Sequence, residues 1–110
     1  MTYTVIKRLE ISASHKLKLS YKSKCENLHG HNWIIHIYLK SDKLNKNSMI
    51  YDFTDIKKSI MDKLDHKNLN DIIEQPTAEN IAKFICDEIG NKCFKVKVQE
   101  SEGNIAIYER

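Results

Sequence analysis

CENLHGHNWIIHIYL, residues 25–39, alternates from His29 onward with the two-residue period of a β-strand. His29, His31, Trp33, Ile35, Ile37 and Leu39 fall on one face, and Asn32, Ile34, His36 and Tyr38 on the other. The strand is expected over residues 29–40. Its apolar face therefore begins with two imidazoles aimed the same way, and Gly30 between them leaves room for close backbone approach. A cysteine, Cys25, precedes the first histidine by four positions.

The flanking sequence supplies partners for this strand. In residues 3–15 Tyr3, Val5, Leu9, Ile11 and Ala13 share one face, with Thr4, Arg8, Glu10 and Ser12 opposite, and His15 closes the strand on the apolar parity. On the other side, KSDKLNKNS (40–48) is a polar turn. The period then changes: Phe53, Ile56, Ile60 and Leu64 recur at helical spacing, with Asp52 or Thr54 as the cap. DHKNLND (65–71) ends that helix. A second helix follows Pro76, with Thr77 as N-cap, an apolar face of Ala78, Ile81, Ala82, Ile85 and Ile89, and Gly90 as its stop. Phe94, Val96 and Val98 alternate in a third strand, SEGN (101–104) turns the chain, and residues 105–108 form a fourth.

The order strand-strand-helix-helix-strand-strand predicts an α+β fold. Its four-stranded antiparallel sheet carries two helices on one face. The opposite face and both edges need cover, so closure of sheets from several subunits into an oligomeric barrel is expected. The 110 residues suit a single domain spanning 1–110, with 41% hydrophobic and 30% charged residues, one Pro and three Gly. The first residues, MTYTVIKRLEIS, alternate and carry charge, unlike a signal or transit peptide. The longest apolar run, WIIHIYL, is too short to span a bilayer. Three cysteines without a CxxC pair fit a reducing compartment. A soluble cytoplasmic protein, with no membrane partner, is expected. A net charge of +3, without a basic helix or interleaved aromatics, argues against a nucleic-acid partner.

Three histidines, His15, His29 and His31, meet the ligand count of a catalytic zinc that keeps one position open. The plainer reading makes His-Gly-His a polar strand end and His15 a loop residue; the third histidine at matching parity favours the metal. Near a zinc and the cluster Lys16, Lys18, Lys22 and Lys24, the Cys25 thiol would ionise more readily and serve as base or nucleophile. As a fourth ligand it would instead close a structural site. Asp65-His66 offers an imidazole set by a carboxylate, provided the backbone has left the helix there; otherwise it is a helix-end histidine. Glu100 shares the parity of Phe94, Val96 and Val98, where a carboxylate needs paired N–H donors; otherwise it belongs to the turn.

Together, SASHKL (12–17), CENLHGHNW (25–33), MIYDFTDIK (49–57), LDHKNLN (64–70), PTAENIAKFI (76–85) and VQESEGNIAIY (98–108) resemble the 6-pyruvoyl- and 6-carboxy-tetrahydropterin synthase family, in family order over nearly the whole chain. The resemblance implies a tunnelling fold, with trimers closing a barrel, two trimers stacked, and active sites between subunits. It implies a zinc lyase acting on 7,8-dihydroneopterin triphosphate, with His15, His29 and His31 on the metal. Cys25, Asp65 and His66 match the catalytic residues, Glu100 the pterin anchor, and Thr77 and Glu79 further pterin contacts. Ala78 departs from members with a second threonine. Lys16, with Lys18, Lys22 and Lys24, is expected at an electropositive mouth for the triphosphate. The spacing of three residues between Cys25 and His29 resembles the bacterial 6-carboxy branch of queuosine biosynthesis. The alternatives are a pyruvoyl-type synthase and a non-catalytic zinc module.

Overall fold

The computed structural model describes residues Met1–Arg110. Two strands of 13 residues, β1 (Tyr3–His15) and β2 (His29–Ser41), pair antiparallel without a break, from Tyr3 opposite Ser41 to His15 opposite His29. Then come α1 (Phe53–Leu64), β3 (Lys67–Asn68), α2 (Ala78–Ile89), β4 (Cys93–Ser101) and β5 (Asn104–Glu109). The sheet order is β3-β1-β2-β4-β5, and both helices lie on one face.

The expected strand and helix order holds, with a fifth strand added. β3 has only two residues and pairs parallel with Ala13 and Ser14, too short to leave a period in the sequence. It forms because the chain reverses at His66, whose φ is 58° and whose N–H donates to the Ser12 carbonyl at 2.7 Å. The polar stretch after α1 also contains a short 3-10 helix, Leu69–Asp71, which buries Leu69.

The core lies between sheet and helices. Leu9, Ile11 and Ala13 of β1 and Trp33, Ile35, Ile37 and Leu39 of β2 meet Ile56, Ile60 and Leu64 of α1 and Ile81, Ala82, Ile85 and Ile89 of α2. Each large aliphatic contributes about 1.5–3 kcal/mol of burial. Trp33 is wholly buried, and its indole N–H donates to the Ala13 carbonyl at 3.1 Å. Phe53, expected on the apolar face of α1, is the first residue of that helix and is 47% exposed.

Two irregularities re-aim β4. Its register to β2 shifts between Tyr38 and Leu39, so Cys93 is buried and Phe94, expected inside, sits on the other face beside the Tyr38 ring at 6.2 Å. Its register to β5 shifts between Gln99 and Ser101, leaving Glu100 as the extra residue of a bulge.

The helix ends follow their capping residues. Asp52 Oδ1 accepts the Thr54 N–H at 2.8 Å, and Thr77 Oγ1 accepts the Asn80 N–H at 3.2 Å. Gly90, with φ of 105°, ends α2. Arg110 then donates to the carbonyls of Cys86, Gly90 and Cys93 and to Asp87 Oδ1.

Candidate functional site

β1 and β2 position the histidines. His15 stands directly opposite His29 across the antiparallel pair, and His31 lies two residues along the same face, opposite Ala13. Their ring centroids are 4.6–5.2 Å apart, and one nitrogen of each lies within 4.8 Å of the others. The Trp33 ring packs edge-on against His15 at 4.9 Å and His31 at 5.1 Å, forming an apolar floor. Gly30 is not needed for close approach: a Cβ there would meet only the Ala13 carbonyl, at 3.7 Å. A side chain there would stand on the face of the sheet away from the helices.

Backbone carbonyls orient two of the rings. His15 Nδ1 donates to the Pro76 carbonyl at 2.7 Å and His29 Nδ1 to the Asn27 carbonyl at 2.6 Å. A carbonyl only accepts, so these nitrogens carry the protons and each Nε2 keeps its lone pair. Nε2 of His15 and of His31 is buried without any hydrogen-bond partner. Burial holds the His31 imidazole below its ordinary pKa, opposed by Glu100 and reinforced by His15 and His29.

Glu100 follows buried Val96 and Val98 on the same face of β4 and so faces the cluster. Its two carboxylate oxygens lie 3.6 Å from His31 Nε2 and 3.8 Å from His15 Nε2, and the side chain is 27% exposed. These contacts are too long for hydrogen bonds. A carboxylate beside two buried imidazole nitrogens that have no hydrogen-bond partner makes, with them, a site that a cation satisfies. The three histidines can hold a metal ion, and the buried, partnerless Nε2 atoms are the feature that fits one.

Glu100 also lines a cavity of about 310 Å³ with Leu17, Thr77, Ala78, Glu79 and Asn104. Thr77 and Glu79 are thus brought beside Glu100. Lys16 is not. With Lys18 it lines a separate cleft of about 790 Å³, together with Glu26, Asn70, Glu74 and Gln75. The extended backbone after His15 sends alternate side chains apart, so Leu17 reaches both hollows while Lys16 does not.

Cys25 sits in a short 3-10 helix, Lys24–Glu26, capped by Ser23, and its carbonyl accepts the Leu17 N–H at 2.9 Å. The thiol is half-buried. Asp65 is the C-cap of α1 with extended backbone, so the chain has left the helix at Asp65-His66. Asp65 Oδ1 accepts the Ser12 N–H at 2.9 Å, while Oδ2 lies 3.6 Å from His66 Nε2. The His66 side chain is 82% exposed and borders a third hollow, of about 470 Å³, with Ser12, Ser14, His31 and Asn32.

Sequence reasoning missed Asn70, Gln75 and the Pro76 carbonyl. Asn70 and Gln75 lie between the helices, where no period operates, and the carbonyl has no side-chain signature.

The profile of the 6-pyruvoyl tetrahydropterin synthase family matches residues 4–110. The chain is 36% identical to a 6-pyruvoyl tetrahydrobiopterin synthase of Dictyostelium discoideum, over 98% of each chain. It is 28% identical to a 6-carboxy-5,6,7,8-tetrahydropterin synthase of Rickettsia typhi, over 93% of this chain and 73% of the other. Its fold superposes on the 6-pyruvoyl tetrahydropterin synthase of Caenorhabditis elegans with a TM-score of 0.78 and 26% identity, over 100% of this chain and 96% of that one.

Proposed function

The chain belongs to the 6-pyruvoyl tetrahydropterin synthase family, and we propose that within it the protein is a zinc-dependent 6-carboxy-5,6,7,8-tetrahydropterin synthase. Its substrate is then 7,8-dihydroneopterin triphosphate, with triphosphate and acetaldehyde released, in cytoplasmic queuosine biosynthesis. The observation that carries the site reading is the convergence of His15, His29 and His31, with two partnerless Nε2 atoms, beside Glu100. The choice of branch rests on the three-residue spacing from Cys25 to His29.

His15, His29 and His31 would hold zinc, with the Pro76 and Asn27 carbonyls fixing two of the rings. When bound there, zinc supplies a Lewis acid for negative charge developing on the pterin side chain. Glu100 accepts paired N–H donors from the amino-pyrimidine edge, with Thr77 and Glu79 lining the same cavity. Cys25 moves protons at the side-chain carbon. His66, oriented by Asp65, is the partner acid or base. Lys16 contributes positive charge from the adjoining cleft to the triphosphate.

The helix-free face of the sheet exposes Ile6, Ile105 and Ile107, which supports trimers closing a barrel and stacking in pairs. The exposure of His66 fits an Asp65-His66 pair that serves a site shared between subunits.

Incubation with 7,8-dihydroneopterin triphosphate tests the reading. Acetaldehyde should appear in step with triphosphate. Triphosphate without acetaldehyde would identify a pyruvoyl-type synthase instead, the reading that the Dictyostelium relative favours. Normal turnover by Cys25→Ala would overturn the mechanism.

A further inference from the structure

β1 ends at His15, yet Lys16, Leu17 and Lys18 stay hydrogen-bonded, Lys16 and Lys18 on one side and Leu17 on the other. The Asn70 side-chain amide forms a closed pair with the main chain of Lys16: Oδ1 accepts the Lys16 N–H at 2.8 Å, and Nδ2 donates to the Lys16 carbonyl at 2.9 Å. The Gln75 amide repeats the pattern on Lys18, accepting its N–H at 3.1 Å and donating to its carbonyl at 2.7 Å. The two amides stand where a neighbouring strand would supply its N–H and C=O. On the opposite side Leu17 N–H donates to the Cys25 carbonyl at 2.9 Å.

Gln75 is itself anchored. Its carbonyl accepts from Asn80 Nδ2 at 2.9 Å, on the first turn of α2. The next residue, buried Pro76, holds His15 Nδ1. One segment therefore touches the start of α2, a histidine of the cluster and the chain leading to Cys25.

We propose that Asn70 and Gln75 are positioning residues, whose side-chain amides act as a substitute strand that holds Lys16–Lys18 extended and thereby sets Cys25 relative to the histidine cluster. The inference rests on the reading of Cys25 as the reacting thiol. It requires an amide chemically, because only a planar group with one donor and one acceptor matches the backbone pair; a carboxylate only accepts. An ionised carboxylate would keep the bond from the Lys N–H, lose the donor, and face the Lys carbonyl with like charge.

The test uses Gln75→Glu and Asn70→Asp, which change little in shape. At neutral pH each should lower kcat at saturating substrate about 10–100-fold, since misplacement of a reacting group slows the chemical step. KM should rise as well, because each new carboxylate lines the cleft that holds Lys16. Zinc content should equal wild type, because the three histidines are untouched. A protonated carboxyl again has a donor and an acceptor, so the ratio of variant to wild-type kcat should rise as pH falls from about 7.5 to about 5.5. A purely structural lesion would give no such recovery.

Wild-type kcat in either variant overturns the proposal. So does a loss of rate that tracks loss of zinc, or one that low pH fails to relieve. Cys25→Ser separates the two readings. If it turns over like wild type, the role of Cys25 falls and the inference with it; if it is inactive while Gln75→Glu is fully active, only the clamp falls.

Discussion

His29 and His31 contribute one nitrogen each to a cluster that needs all three, so His29→Ala or His31→Ala should abolish metal binding and turnover together. Metal analysis of the purified variants, beside product assays, checks this. Cys25→Ala should retain both metal and fold while losing turnover, because the thiol is not among the converging atoms. Glu100→Gln should raise KM by about 10-fold or more, the loss of a charge-assisted pair of hydrogen bonds to substrate being about 1.5–3 kcal/mol. At this scale the convergence of the three histidines was legible from parity and spacing. The direction of Glu100 was legible from the parity of Val96 and Val98, which are buried on the face that carries the histidines, although Phe94 in the same count lies on the opposite face. The bulge that interrupts its pairing with β5 was not legible.

Helix ends were the most legible elements, because capping is local chemistry. α1 spans the predicted residues, and Asp52 rather than Thr54 caps it. Asp52→Ala should destabilise the protein by about 0.5–2 kcal/mol, read as a lower Tm, and leave kcat unchanged since the cap lies apart from the histidines. The central strands hold a second testable group. His36 faces Arg8 and Lys97 across the pairs on either side, with Glu10, Ile34, Tyr38, Lys95 and Gln99 around it on that face. Burial, then Lys97 and Arg8, holds its imidazole below the ordinary value of 6.5. Between that lowered value and 6.5 the unfolded chain binds more protons than the folded one, so stability falls as pH falls through this window. Denaturant titrations from pH 7.5 to 5 should show that slope, and His36→Gln should flatten it. β3 and the Asn70–Gln75 clamp were not legible, since two-residue strands and side-chain amides leave no periodic trace.

The whole molecule presents a sheet with one face packed by helices and one face carrying Ile6, His36, Tyr38 and Ile107. Sedimentation velocity should report a particle several times the 12.9 kDa chain mass. A fully active monomer at assay concentration would overturn the shared-subunit site. The sequence by itself determined the order of the two helices and the four long strands, the buried face of β1, β2 and α2, and the two strands that bring the histidines together. Those features follow from alternation, helical spacing and caps, all of which act within a few residues. Tertiary structure alone decided that Pro76, 61 residues from His15, orients its ring. It also decided that Lys16 opens into a different cleft from Thr77 and Glu79. These depend on register and on contacts between distant segments, which no local pattern encodes.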